Sequence, residues 1–221
     1  MAQHILFDLD GTLTDPKLGI TKSYQYALSK MGILVEDLDA FLPFIGPPIR
    51  ENFSFYGLSP AQVEEAVVHY REYYGETGML ENIRYPGIDH LLKGLQEKGY
   101  LLHIATSKAT FFAEKILAHF SLLPYFSYIG GCELDGSRSE KAEVIADVME
   151  KANIVVGEKA VMVGDRLHDI LGAKANGMES IGVLYGYGSQ EELEEAGADH
   201  IVATVEELGC LLAQLSEGEM G

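Results

Sequence analysis

The sequence predicts an α/β protein, with a mostly parallel sheet covered by helices on both faces and a helical segment inserted near its start. Three observations predict it. Short apolar runs alternate with helix-length patterns along most of the 221 residues; the stretch from about residue 16 to residue 83 holds no such run; and the apolar runs end in carboxylates, hydroxyls or glycine.

Six runs read as strands: HILFD at 4–8, YLLHIAT at 100–106, FSYIGG at 126–131, KAVMVGD at 159–165, SIGVLYG at 180–186 and HIVATV at 200–205. Helices are expected between most of them, among others at 140–152, 167–176 and 189–196, the last opening on a Ser189/Glu192 capping box. Strands that alternate with helices argue for parallel pairing with both faces covered, a Rossmann-like layout.

The segment 16–83 reads as helix throughout. Ile20, Tyr24, Ala27, Leu28 and Met31 recur at helical spacing. Ser59, Pro60 and Gln62 supply an N-cap, a first-turn proline and the far half of a capping box. The helix they start carries Val63, Val67, Tyr70 and Tyr74 on one stripe, which reads as packing. Pro- and Gly-bearing stretches, DPKLG and ENIRYPG, bound the segment. The expected division is therefore a Rossmann-like core of residues 1–15 and 84–221 with a helical cap of residues 16–83.

Composition narrows the function. The formal charge is −18, from 34 acidic against 16 basic side chains, so little here attracts a nucleic-acid backbone. Cys132 and Cys210 stand far apart in no metal-binding or disulfide spacing, and no apolar stretch is long enough to span a bilayer. A cytoplasmic protein without nucleic-acid or membrane partners is expected, for which a monomer suffices.

In open α/β sheets ligands bind beyond the carboxyl ends of the strands, which makes the ends of the apolar runs the place to look for chemistry. The first run ends in Asp8 and Asp10, followed by Gly11 and Thr12; the second in Thr106 and Ser107; the fourth in Gly164 and Asp165, with Asp169 four residues on. Lys141 opens the helical pattern after the third. Clustered carboxylates repel one another unless a divalent cation sits among them, and hard oxygen ligands suit Mg²⁺ with a substrate phosphate. An EF-hand is the nearest competitor, but its sixth and twelfth positions counted from Asp8 are Leu13 and Gly19 instead of Gly and Glu. Taken singly, Thr106 reads as a strand-end hydroxyl, Lys141 as a solvated lysine, and Asp165 and Asp169 as helix-capping groups. Their combination, in order and each at the end of a run, points to phosphate chemistry.

DLDGTLTD, a helical insertion, IATSK, a lysine and then GDRLHD resemble the haloacid dehalogenase-like hydrolase superfamily over nearly the whole chain. The resemblance implies Asp8 as nucleophile, Asp10 as general acid/base, and Thr106, Ser107 and Lys141 as phosphate binders. It further implies a Mg²⁺ site involving Asp8, Asp10 and Asp165, with Asp169 supporting the metal's waters or pairing with Lys141, and with Gly11 and Thr12 in the first loop. The stretch from GDRLHD through SIGVLYGYGSQEELEEAGADHIV is similar to the phosphoglycolate phosphatase-like branch, whose cap lies between the first two motifs.

A dehalogenase needs neither metal nor a proton donor, so Asp10 favours phosphate-ester chemistry. The expected activity is Mg²⁺-dependent hydrolysis of a small, phosphoglycolate-like phosphate ester through an aspartyl-phosphate. A phosphomutase of the β-phosphoglucomutase type, a nucleoside monophosphate phosphatase and a non-catalytic sugar-phosphate-binding regulator stand as alternatives. In the cap, FIGPPIRENF at 44–53 presents Arg50 either as the reader of the leaving group or as a surface partner of Glu51 or another acid.

Overall fold

The structure, a computed structural model, describes residues 4–135, 137–155 and 159–217. Glu219, one of the acidic residues of the chain, lies outside them.

The chain enters through β1 (His4–Phe7), fully buried, and leaves it by an acidic turn into the two-residue strand β2 (Thr14–Asp15). Helix α1 (Lys17–Lys30), a 3₁₀ segment over Leu38–Phe44, α2 (Ile49–Ser54) and α3 (Pro60–Glu76) follow. A second two-residue strand, β3 (Ile83–Arg84), pairs antiparallel with β2, so the connections into and out of the helical segment form one ribbon. Residue 83 was expected to be helical; a strand of two residues carries no alternation by which a sequence could reveal it.

From there helices and strands alternate: α4 (Ile88–Glu97), β4 (Leu101–Ala109), α5 (Thr110–His119), β5 (Phe126–Cys132), α6 (Lys141–Lys151), β6 (Ala160–Gly164), α7 (Leu167–Ala175), β7 (Glu179–Val183), α8 (Gln190–Ala196), β8 (His200–Val202) and α9 (Val205–Glu217). The six longer strands form one parallel sheet in the order β5-β4-β1-β6-β7-β8. The chain thus builds outward from β1 through β4 and β5, returns to β6 on the other side of β1, and builds outward again. The order reverses between β1 and β6, and a parallel sheet opens its ligand crevice at such a point.

Both faces of the sheet are covered. Ile5 and Phe7 of β1 join the larger core with Ile104 and Val163, while Leu6 points the other way, into a cluster with Val144, Ile145 and Met162. In the helical segment α1 packs against α3, and Ile20, Tyr24, Ala27 and Leu28 are buried as their spacing predicts. Tyr24 sits among Phe41, Phe53 and Tyr70, its hydroxyl accepting from Asn52 Nδ2 at 2.7 Å.

The capping box of α3 forms in full between Ser59 and Gln62. That of α8 forms by half. Ser189 Oγ accepts from Glu192 N, but the Glu192 carboxylate turns away to the Arg166 guanidinium (2.8 Å) and Leu167 N (2.9 Å), where a charged donor outbids its own helix.

Candidate active site

Asp8 and Asp10 leave the end of β1, and Asp165 leaves the end of β6, on the two sides of the switch point. Asp8, Asp10, Thr106, Lys141, Asp165 and Asp169 are each buried to 7% exposure or less. One ligand atom from each of Asp8, Asp165 and Asp169 lies within 4.8 Å of the others. Three acids so close and so dry require a cation among them.

Lys141, at the first turn of α6, supplies one. Its Nζ lies 3.0 Å from Asp8 Oδ1 and 2.7 Å from Asp169 Oδ1, and donates to the Ala105 carbonyl at 3.0 Å. Read alone, the lysine was expected in solvent; packed here, it is 5% exposed. Burial opposes its charge, but Asp169 and Asp8 outweigh burial and hold the ammonium's pKa above its usual value. Burial also drives Asp169 upward, against the pull of Lys141.

Glycines make room for Asp165. A Cβ on Gly11, whose φ is +83°, would stand 2.2 Å from Asp165 Oδ2, and one on Gly186 would stand 2.4 Å from Asp165 Cβ. The carboxylate is aimed by Tyr187 N, which donates to Oδ2 at 2.8 Å, and by Thr12 Oγ1, which approaches Oδ1 at 3.4 Å. Asp169 Oδ2 accepts from Arg166 N at 3.0 Å. Burial, and then Asp169 and Asp8, raise the Asp165 pKa well above its ordinary value. A divalent cation in the cluster reverses that effect.

The donor set fits Mg²⁺. Asp8 Oδ1 and Asp169 Oδ1 are buried and meet Lys141 at ion-pair distance without a well-formed hydrogen bond, which leaves oxygen lone pairs free for a hard cation. The Asp10 carboxylate lies outside the triad and pairs with Lys108, whose Nζ is 2.7 Å from Asp10 Oδ2. Burial raises the Asp10 pKa, with Lys108 opposing it.

A cavity opens from Asp8 and Asp10 toward the helical segment, with Thr106 and Ser107 on its wall. Aromatic side chains line it too: Tyr24, Phe44, Tyr70, Tyr74 and Phe112. Tyr70 and Tyr74, expected to be packing, are buried and line the cavity as well.

Two arginines reach this wall. Arg50, expected either to read the leaving group or to pair with an acid, is held by Glu64 through Nε at 2.6 Å and Nη2 at 3.0 Å. Its surface partner is thus Glu64 and not its neighbour Glu51. Arg71 of α3, which sequence reasoning passed over, makes no ion pair or hydrogen bond among the described residues. The only sequence signal for Arg71 was its place beside Tyr70, on a helix whose inner stripe faces the site.

Sequence reasoning also passed over Arg166. Its Nη1 donates to the Ile45 carbonyl at 2.5 Å and its Nε to Glu192, so one side chain ties the loop after β6 to the segment that carries Arg50.

The model of the haloacid dehalogenase-like hydrolase family matches residues 5–183. A 5′-nucleotidase of Pseudomonas aeruginosa is 46% identical over 201 residues, covering 90% of this chain and 90% of that protein. Tyrosine-protein kinase PtkA of Mycobacterium tuberculosis is 39% identical over 208 residues, covering 93% of this chain and 71% of the kinase. The crystal structure of a predicted phosphatase from Clostridium acetobutylicum superposes with a TM-score of 0.94 at 46% identity, covering 97% of this chain and 99% of that one. No helix among the described residues is long and apolar enough to cross a membrane.

Proposed function

The chain belongs to the haloacid dehalogenase-like hydrolases, and on that premise we propose that it is a Mg²⁺-dependent phosphomonoesterase that cleaves nucleoside monophosphates through an aspartyl-phosphate on Asp8. The hydrolase class, acting on phosphate esters, follows from the family and its phosphatase members. One observation carries the finer reading: a buried carboxylate, bridged by Lys141 to a second acid, borders a cavity lined by aromatic side chains.

In this reading Asp8 attacks phosphorus in line, Lys141 and the hydroxyls of Thr106 and Ser107 hold the phosphoryl oxygens, and Asp10 protonates the leaving oxygen. Asp10 then takes a proton from the water that hydrolyses the aspartyl-phosphate. Asp8, Asp165 and Asp169 would hold the metal, which supplies charge neutralisation for the phosphate dianion. The helices between β2 and β3 act as the cap, excluding bulk water and reading the leaving group.

The two-carbon tail of phosphoglycolate gives the aromatic wall nothing to grip. A nucleobase offers a π-face to Tyr24, Tyr70 and Phe112. Similarity to a 5′-nucleotidase supports the same choice. Arg71, which has no hydrogen-bond or ion-pair partner among the described residues, is a guanidinium on that wall with hydrogen bonds still to give. Arg50 is engaged by Glu64.

The test is release of inorganic phosphate from a panel of nucleoside monophosphates, phosphoglycolate and sugar phosphates with Mg²⁺ and no bisphosphate activator. The reading expects net release led by a nucleotide. Preference for phosphoglycolate overturns the substrate class, and turnover that requires a bisphosphate indicates a mutase.

A further inference from the structure

Lys108 has no part in the chemistry described above, yet it occupies a singular position. It follows Thr106 and Ser107 at the end of β4, and its side chain is 7% exposed. Its Nζ makes an ion pair with Asp10 Oδ2 at 2.7 Å, donates to the Tyr74 hydroxyl at 2.6 Å and lies 4.5 Å from the centre of the Tyr74 ring. Asp10 belongs to the β1 loop and Tyr74 to α3, so one buried ammonium joins the reacting end of the sheet to the helical cap.

The three contacts leave an asymmetry at Asp10. Oδ2 is taken by Lys108, whereas Oδ1 is buried, lacks a hydrogen-bond partner among the described residues and belongs to a residue that lines the cavity. A carboxylate free to rotate would present either oxygen; an ammonium locked on one of them presents the other. Lys108 in turn is fixed by Tyr74, which is 2% exposed, stacks on Tyr70 at 5.5 Å between ring centres and meets Phe112 edge-on at 5.2 Å. That aromatic row runs through the body of the helical segment to Tyr24. Withdrawing α3 from the sheet would remove the Tyr74 contacts from Lys108 and leave the ammonium with its Asp10 partner but without its tether to the helical segment.

We propose that Lys108 is a positioning residue that holds the Asp10 carboxylate ready for proton transfer, and that Tyr74 makes this hold depend on the docking of α3. The proposal rests on the reading of Asp10 as acid/base. It assigns to the cap a part in preparing the proton donor, in addition to covering the substrate.

The experiment measures the rate of phosphoenzyme formation in single turnovers, and KM, with two esters: an aryl phosphate whose leaving group needs no proton and an alkyl phosphate whose leaving group does. The variants are Lys108→Met, Tyr74→Phe and Asp10→Asn, Tyr74→Phe keeping the ring and the fold. Lys108→Met is expected to slow the alkyl ester by about a hundredfold and the aryl ester by less than about threefold, with KM little changed. Tyr74→Phe should show the same split at about tenfold.

Equal losses on both esters, or losses confined to KM, overturn the positioning role and make Lys108 a phosphate binder or a structural residue. A Tyr74→Phe enzyme that matches the wild type overturns the dependence on α3. Asp10→Asn separates this proposal from its premise. If that variant does not distinguish the esters, the acid/base reading fails and takes the proposal with it; if it does while Lys108→Met does not, only the role of Lys108 fails.

Discussion

Lys141 Nζ stands 3.0 Å from Asp8 Oδ1 and 2.7 Å from Asp169 Oδ1, one ammonium shared by a carboxylate just past β1 and one from α7. Removing one partner of a buried ion pair leaves an uncompensated charge, a loss of about 3 to 5 kcal/mol. Lys141→Met should therefore lower stability by about that amount in urea denaturation at neutral pH and abolish turnover. A variant that denatures like the wild type would show that the bridge contributes nothing.

The triad of Asp8, Asp165 and Asp169 predicts metal-linked stability. If the folded site holds Mg²⁺ and the unfolded chain does not, the melting temperature should rise with Mg²⁺ concentration and chelation should silence turnover. In Asp165→Asn the rise should require far more Mg²⁺. Because burial raises the pKa of Asp165 in the metal-free cluster, the metal must displace a proton there, and the Mg²⁺ shift should weaken as pH falls. A wild-type melting temperature indifferent to Mg²⁺ would contradict the site.

The pairing of the two arginines separates their roles. Arg50 is engaged by Glu64 and Arg71 is not engaged among the described residues. Arg71→Ala should cut kcat/KM on a nucleotide by about one to two orders of magnitude, the worth of a charge-assisted hydrogen bond, and spare a neutral aryl phosphate. Arg50→Ala should change both by less than about threefold. The reverse order would return the reading role to Arg50.

The contrast between these arginines also marks what the sequence could disclose. Asp8 and Asp165 were legible because each ends an apolar run, and a parallel sheet gathers strand ends at one edge. Every expected strand appears in the sheet, with ends displaced by a few residues, as in SIGVLYG at 180–186 against Glu179–Val183. Side-chain pairing was not legible. Whether Arg50 faces substrate or Glu64 is set by how α2 meets α3, and Lys108 gains its place only when α3 brings Tyr74 against it. Glu192 likewise leaves its own helix cap for Arg166, a partner 26 positions away that local spacing does not reveal.

His4 and His103, on neighbouring strands, meet at 3.0 Å between Nδ1 and Nε2. Burial, and then His4, push the His103 pKa down to about 4, while the unfolded chain keeps the ordinary value of about 6.5. Between those values the unfolded state takes up a proton that the folded state refuses, so stability falls as pH falls through this window and levels off below it, with a slope of up to about 1.4 kcal/mol per pH unit. Urea denaturation at a series of pH values should show this slope, and His103→Gln should flatten it. Asp10 and Asp165, whose pKa values are raised, contribute with the opposite sign, so the difference between variant and wild type is the quantity to read. Parallel curves would mean that His103 titrates alike in both states.

The nucleophile is the centre of the account. Wild-type enzyme quenched in acid during turnover with Mg²⁺ and a nucleotide should carry one phosphoryl group on the peptide containing Asp8, stable in acid and lost in base, as an acyl phosphate is. Asp8→Asn should carry none and release no phosphate. A phosphoryl group on another residue, or substantial turnover by the Asp8 variant, would contradict the account.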